Sequence, residues 1–151
     1  MKRLGITAIM LLFALTMASG QNCKKFHLYG ACMQFPGNNF KMDGQSRSNV
    51  IGVGDKLIYS MVFYGERQYK LYFCASEEFY PVHFRLVDSM TGQLIYDNSK
   101  DDYPDNVTVN IEYTRKINVE LEVLALEASE EVKLSYLGCS GTLMLWKPIE
   151  K

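Results

Sequence analysis

The stretch VTVNIEYTRKINVELEV, residues 107–123, decides the fold of this chain. Every second residue is apolar on both sides of a break at residues 114–115. Such alternation places apolar side chains on one face and polar side chains on the other, which is typical of half-buried antiparallel strands. The stretch therefore predicts two strands, each with one face against a core and one face toward solvent.

The same period of two continues on either side of this stretch. Residues 57–64 are apolar at almost every position, which predicts a strand at the centre of its sheet. Turn-forming residues such as Gly52-Val53-Gly54-Asp55 separate the strands. Eight or nine short strands, spaced by about ten residues, predict an all-β, antiparallel sandwich of two packed sheets. The further strands are predicted over residues 69–74, 82–87, 93–96, 132–136 and 142–146.

The first 20 residues have the order of a signal peptide. Lys2 and Arg3 precede an apolar run at residues 6–17, and small residues end at Gly20. A membrane anchor would need roughly 20 apolar residues, so cleavage after Gly20 is favoured. Lipid attachment at Cys23 is disfavoured, because the polar residues 21–22 precede it. We expect a signal peptide over residues 1–20, a loop-rich segment over 21–48 and a β-sandwich domain over 49–151.

Removing 20 of the 151 residues leaves 131, a length that suits one domain. The leader contains two of the 16 basic residues, so 14 remain against 17 acidic ones and the net charge is −3. A mildly acidic chain without a basic block lacks the electrostatic pattern of a nucleic-acid-binding protein. No second apolar stretch is long enough to span a bilayer. We expect an exported protein, located in the periplasm or at the cell surface.

The chain has four cysteines, all after the predicted leader. An even number in an oxidising compartment predicts two disulfides, with three possible connectivities. We favour Cys23–Cys32, which would close a short N-terminal loop, and Cys74–Cys139, which would join two strands. Zinc binding is disfavoured, because the chain has no C-x-x-C pair.

Catalytic signatures are missing from the sequence. The two histidines, His27 and His83, are expected at the surface, and no nucleophile, phosphate-loop or dinucleotide motif occurs. Cysteines bonded in disulfides cannot act as thiolate nucleophiles. A pair of carboxylates of the glycosidase kind stays open, because such partners meet only in the folded chain. We therefore expect a protein that is not an enzyme, with a small hydrolase as the remaining alternative.

The acidic loop at residues 97–106 is the densest polar cluster. It offers carboxylate oxygens, the ligands that calcium prefers, but its spacing does not fit an EF-hand and Lys100 would oppose a cation. A solvated turn is the simpler interpretation, and no cofactor is expected. The candidate calcium ligands are Asp97, Asp101, Asp102 and Asp105.

Aromatic residues are abundant, with ten Tyr, eight Phe and one Trp. Sugar-binding modules present flat rings from one sheet face or rim, whereas core packing explains most aromatics in a small sandwich. The rings that the alternation leaves as candidates for an exposed binding surface are Tyr64, Tyr72, Tyr80, Tyr103 and Trp146.

Seven segments of the sequence carry a resemblance to a known family: Cys23 to Cys32, Gly54-Asp55, Phe63-Tyr64-Gly65, YKLYFC (69–74), FRLVD (84–88), LIYDN (94–98) and GCSG (138–141). Together they resemble a family of small exported bacterial β-sandwich proteins. At longer range the pattern is similar to the pre-peptidase C-terminal (PPC-like) domain, a jelly-roll module attached to secreted enzymes. The resemblance implies a jelly-roll fold and export, and it implies no activity. No enzyme is attached here and the cysteine pairs are not part of that module, so no ligand residues are carried over.

These observations favour a non-catalytic exported module. The expected partner is another envelope or secreted protein, because an antiparallel sandwich offers strand edges and sheet faces for binding. A carbohydrate-binding module that uses exposed aromatics is the alternative.

Overall fold

A computed structural model describes residues 22–29, 32–33, 39–124, 129 and 137–150. The predicted leader (1–20) and the predicted strand at 132–136 lie outside the described residues. Within the described part of the chain, the helical segments are single short 3₁₀ turns, and none is long and apolar enough to cross a membrane.

Nine β-strands are found in this part of the chain, and all their pairings are antiparallel. They form two sheets, so the predicted all-β sandwich with eight or nine strands is confirmed. The strands are β1 (Lys41–Met42), β2 (Arg47–Gly52), β3 (Lys56–Phe63), β4 (Arg67–Ala75), β5 (Val82–Asp88), β6 (Leu94–Asp97), β7 (Asn106–Ile111), β8 (Arg115–Val123) and β9 (Leu137–Pro148).

The strand order is that of a jelly roll. Sheet A has the order β1-β9-β4-β7, with β2 also paired to β9, and sheet B has the order β3-β8-β5-β6. Successive strands from β2 to β9 cross between the sheets, except for the hairpin β5–β6. Two interlocked Greek keys of this kind leave only the outer strands of each sheet unpaired on one side.

The core lies between the sheets and consists of the apolar residues that alternate along the strands. Within residues 107–123, Val107, Ile111 and every apolar residue of β8 are buried as predicted, whereas Val109 is only partly buried and Tyr113 is 73% exposed. Phe73 of sheet A stacks on Phe84 of sheet B with ring centroids 3.9 Å apart. Burying a side chain of this size stabilises the fold by about 1.5–3 kcal/mol.

The prediction that residues 57–64 form a central strand is wrong. They form β3, which is the outer strand of sheet B. Its inward residues Met61 and Phe63 are buried, whereas Ile58 points outward and is 66% exposed. The apolar content of a segment predicts that it forms a strand. It does not show whether that strand has one neighbour in the sheet or two. Sheet A has two inner strands, β4 and β9, and the 12 residues of β9 extend well beyond the predicted 142–146.

The favoured disulfide pairing is also wrong, although all four cysteines are bonded. The bonds are Cys23–Cys139 and Cys32–Cys74, with Cα–Cα distances of 5.2 and 5.3 Å. Cys74 lies directly opposite Gly141, not Cys139. Diagonal positions on neighbouring strands are about 7–8 Å apart, beyond the usual reach of a disulfide. Each N-terminal cysteine therefore bonds to the sandwich, and the loop-rich segment is fastened to it at two points.

These bonds fasten the N-terminal segment onto the outer side of sheet A. Tyr72, Leu143 and Leu145 point to that side, are buried, and pack with Phe40. β1 of the same segment pairs with β9. Gly141 permits the close approach, because a Cβ there would lie 2.8 Å from Cys74 Sγ and 2.9 Å from His27 Cα. We call this side of sheet A the covered face.

Candidate functional site

The outer side of sheet B, which we call the open face, carries exposed and half-exposed side chains from four strands. It includes a shallow cavity of about 260 Å³ that crosses β3, β8 and β5. The strand registers place its polar side chains in rows that run across the sheet. Lining the cavity are Lys56, Ile58, His83, Arg85, Glu120, Leu121 and Glu122.

The first row joins basic and acidic side chains from all four strands of sheet B. Glu122 lies opposite Lys56 on one side and His83 on the other. Lys56 Nζ is 3.4 Å from Glu122 Oε2, and that oxygen is 3.8 Å from His83 Nδ1. His83 Nε2 lies 3.0 Å from Asp97 Oδ1 at the end of β6. The row therefore fixes four titratable groups in one line.

The second row combines an ion pair with an apolar side chain. Glu120 lies opposite Ile58 of β3 and Arg85 of β5. The Arg85 guanidinium donates to the Glu120 carboxylate. Ile58 is the most exposed apolar residue of the open face. The second row therefore places an exposed aliphatic side chain at one end of a fixed ion pair.

Ser99 fixes the position of the Asp97 carboxylate in the His83–Asp97 pair. Asp97 Oδ1 accepts hydrogen bonds from the Ser99 backbone N–H (3.0 Å) and hydroxyl (2.7 Å). Burial alone would raise the pKa of Asp97, but the hydrogen bonds from Ser99 and His83 outweigh it and lower the pKa to about 2. The Tyr103 ring stands edge-on to the His83 ring at 5.9 Å. Asp97 therefore stays ionised and orients the imidazole.

This arrangement does not form a catalytic triad. A triad needs a histidine between a carboxylate and a nucleophile. Here both imidazole nitrogens face carboxylates, those of Asp97 and Glu122, and Ser99 donates to Asp97 instead of His83. The described residues thus supply an orienting network on the open face without an activated nucleophile.

The acidic loop is organised by Asn98, which sequence analysis did not single out. Asn98 is fully buried, its amide nitrogen donates to the Val82 and Pro104 carbonyl oxygens, and its amide oxygen accepts from the Phe84 N–H. The proposed calcium ligands do not converge. Asp97 bonds to His83, Asp101 accepts from Tyr96, Asp105 accepts from Asn106, and Asp102 is exposed at a left-handed position. Within the described ranges no group of three His, Cys, Asp or Glu residues could hold a metal ion.

The five candidate aromatics do not share one surface. Tyr64 is 48% exposed, and the Arg67 guanidinium lies between its ring (5.0 Å) and that of Trp146 (3.9 Å). Tyr72 is only 4% exposed, on the covered face, so the expectation of an exposed ring is wrong there. Tyr80 is half-buried, with its hydroxyl 3.4 Å from the Ala75 N–H, and Tyr103 contacts His83.

The sequence alone does not identify most residues of the open face as parts of one site. The alternation of β8 did place Glu120 and Glu122 on a solvent side. The sequence has no signal for their partners Lys56 and Arg85, because these lie 66 and 35 residues away along the chain. Only the register of two strand pairs brings them into rows.

Comparison with known proteins gives little further information. No protein-family model and no curated protein match the chain. Among solved structures, the chain is similar to PliG of Aeromonas hydrophila, described as a periplasmic inhibitor of g-type lysozyme. The similarity covers 74% of this chain and 89% of that one, at 9% identity and a TM-score of 0.49. At these values nothing about the function of this chain is inferred from it, and the resemblance to PPC-like domains stays a prediction.

Proposed function

We propose that this chain is a non-catalytic exported module that binds another envelope or secreted protein through its open face. The observation that carries the proposal is the difference between the two outer sides of the sandwich. The covered face is occupied by the chain's own N-terminal segment, whereas the open face presents Ile58 and ordered rows of charge.

Export is supported by the state of the cysteines. All four are bonded in two disulfides that join the N-terminal segment to β4 and β9. Disulfides of this kind form and persist in oxidising compartments. The predicted signal peptide at residues 1–20 supports the same compartment.

A protein partner is supported by the shape and charge of the open face. Its cavity is shallow, and the side chains around it are already held by cross-strand contacts such as Lys56–Glu122 and Arg85–Glu120. A partner with matching charges would meet side chains that are already ordered in the free protein. Little side-chain conformational entropy would then be lost on binding, which favours affinity. The exposed Ile58, at the β3 end of the second row, would supply apolar contact.

A matched pair of charge reversals tests this proposal. The chain is used as bait on an envelope extract of the producing bacterium, and bound proteins are quantified by mass spectrometry. Arg85→Glu reverses a charge on the open face, and Lys70→Glu makes the same change on the outer side of β4. We expect a protein recovered by the wild type and by Lys70→Glu, but reduced at least about tenfold with Arg85→Glu. Equal recovery by all three baits, or no specific protein with the wild type, would contradict the proposal.

A carbohydrate-binding role is the second candidate, and it depends on Tyr64. That ring is half-exposed and backed by Arg67 and Trp146 at one end of the sandwich. Glycan-array binding by the wild type that disappears in Tyr64→Ala and survives in Arg85→Glu would favour this role over the first.

A further inference from the structure

The outer edge of β3 has backbone groups that point away from β8, its one neighbour among the described strands. Gln45 reveals their direction at one position. Its amide nitrogen donates to the Val62 carbonyl oxygen (2.9 Å), and its amide oxygen accepts from the Val62 N–H (2.8 Å). Both backbone groups of Val62 therefore face the outer edge. In an antiparallel pair this direction repeats every second residue, so those of Ser60, Ile58 and Lys56 face the same way.

Gln45 occupies the edge only at Val62. In the described part of the chain, no backbone or side-chain group bonds to the outward N–H and C=O of Ile58 or Ser60. Lys56, Ile58 and Ser60 are all exposed residues. A strand of five residues, about 17 Å long, is thus available from Lys56 to Ser60.

This edge lacks the features that normally prevent strand addition. Short length, bulges, proline and charge are the usual protections. β6, at the other edge of the same sheet, is four residues long, and its pairing with β5 has a register shift between Leu86 and Val87. β3 instead keeps unbroken register with β8 over eight pairs, contains no proline, and has one charge, at Lys56. The edge strand β7 of sheet A carries only Asn and Thr on its outer side, whereas β3 carries Ile58.

We propose that a second copy of this chain pairs with β3 through this edge. Antiparallel pairing about Ile58 would place Ile58 opposite Ile58 of the second copy and Lys56 opposite its Ser60. The three outward residues of each copy would then form about six backbone hydrogen bonds across a two-fold axis. The inference does not depend on the proposed function of the open face.

The edge is complementary to itself in charge, in apolar contact and in length. The two Lys56 side chains would be about 14 Å apart along the strands, beyond a screening length of about 8 Å. Each would keep its own contact with Glu122. The two Ile58 side chains would touch side by side and remain on the joined open face, and Gln45 of each copy would end the pairing at Val62. The two open faces would become parts of one continuous eight-stranded sheet.

Sedimentation equilibrium of the oxidised protein, recovered after export, tests this proposal. An interface of this size belongs to the weak class, so we expect a dimer with a dissociation constant on the order of 10–100 μM. Ile58→Lys puts like charges opposite each other and should raise the constant at least about tenfold. Leu94→Lys is the control, because Leu94 is a 41% exposed aliphatic residue on the opposite edge of the same sheet. It should leave the constant unchanged.

Hydrogen–deuterium exchange identifies the edge that pairs. The amides of Ile58 and Ser60 should exchange more slowly as protein concentration rises through the dissociation constant, and this dependence should vanish in Ile58→Lys. A wild-type protein that stays monomeric would overturn the proposal. A dimer in which these two amides are insensitive to concentration would also overturn it.

Discussion

The two outer sides of this sandwich differ in whether another segment of the chain covers them. On the covered face, Tyr72, Leu143 and Leu145 are buried under the N-terminal segment, and two disulfides fasten that segment in place. On the open face, paired charges and Ile58 remain accessible. In this jelly roll, burial and disulfides on one face stabilise the fold, and the other face remains accessible for recognition. Substitutions of the buried residues of the covered face should therefore change stability most, and those of the exposed residues of the open face should change binding.

Removing the disulfides should have the largest effect. Cys23→Ser with Cys139→Ser opens a link across 116 residues, and Cys32→Ser with Cys74→Ser opens one across 42. The chain-entropy model gives losses of about 5 and about 4 kcal/mol of unfolding free energy. Urea unfolding followed by tryptophan fluorescence measures both. If either double variant unfolded at the wild-type urea concentration, the covered face would not be fastened as described.

Truncating one aliphatic residue on each face should give the next largest difference in unfolding free energy. Leu143→Ala removes a fully buried side chain under the N-terminal segment and should cost about 3 kcal/mol. Ile58→Ala removes an exposed one and should cost less than about 0.5 kcal/mol. Both are compared by urea unfolding at protein concentrations well below those at which self-association is expected. Equal losses would mean that Leu143 is not covered or that Ile58 is.

A glycine pair tests how closely the N-terminal segment approaches sheet A. Gly141→Ala introduces a Cβ within 3 Å of Cys74 Sγ, Cys32 Sγ and His27 Cα, and should cost about 2 kcal/mol. Gly44→Ala is the control, because its Cβ would meet no atom within 4 Å. Thermal melts of the two variants should differ by several degrees, with Gly141→Ala the lower. A neutral Gly141→Ala would show that the segment lies farther from the sheet.

Acid titration should give the smallest effect, and it concerns the open face. The pKa of Asp97 is lowered to about 2, so its ionised form stabilises the fold above its unfolded pKa of about 4. That stability should be lost as the pH falls from about 4 to about 2. Asp97→Asn should remove this part of the pH dependence, and Ser99→Ala should reduce it by removing one hydrogen-bond donor. Urea midpoints measured across this pH range check both variants, and an unchanged profile in Asp97→Asn would contradict the network around His83.

The sequence predicts which side of a strand a residue occupies far better than what lies on that side. Alternation correctly puts Val107 and Leu121 in the core, and it puts Tyr72 and Cys74 on the outer side of β4. It cannot reveal that this outer side is covered, because the cover comes from a segment some 30–50 residues away. The favoured disulfides and the exposure of Tyr72 fail for this same reason, whereas the central position of β3 fails because apolar content does not show how many neighbours a strand has.

The candidate site depends still more on long-range register. Glu120 and Glu122 could be assigned to a solvent side, but their rows with Arg85 and Lys56 require β8 to pair with both β5 and β3. The role of Gln45 at the edge of β3 likewise arises from packing between distant segments. Local periodicity contains neither piece of information.

Peptide mapping of the oxidised, non-reduced protein tests most directly whether one face is covered and the other is open. The structure predicts two cross-linked peptide pairs, one joining Cys23 to Cys139 and the other joining Cys32 to Cys74. A link between Cys23 and Cys32, or between Cys74 and Cys139, would contradict it, because the N-terminal segment would then no longer be fastened across sheet A.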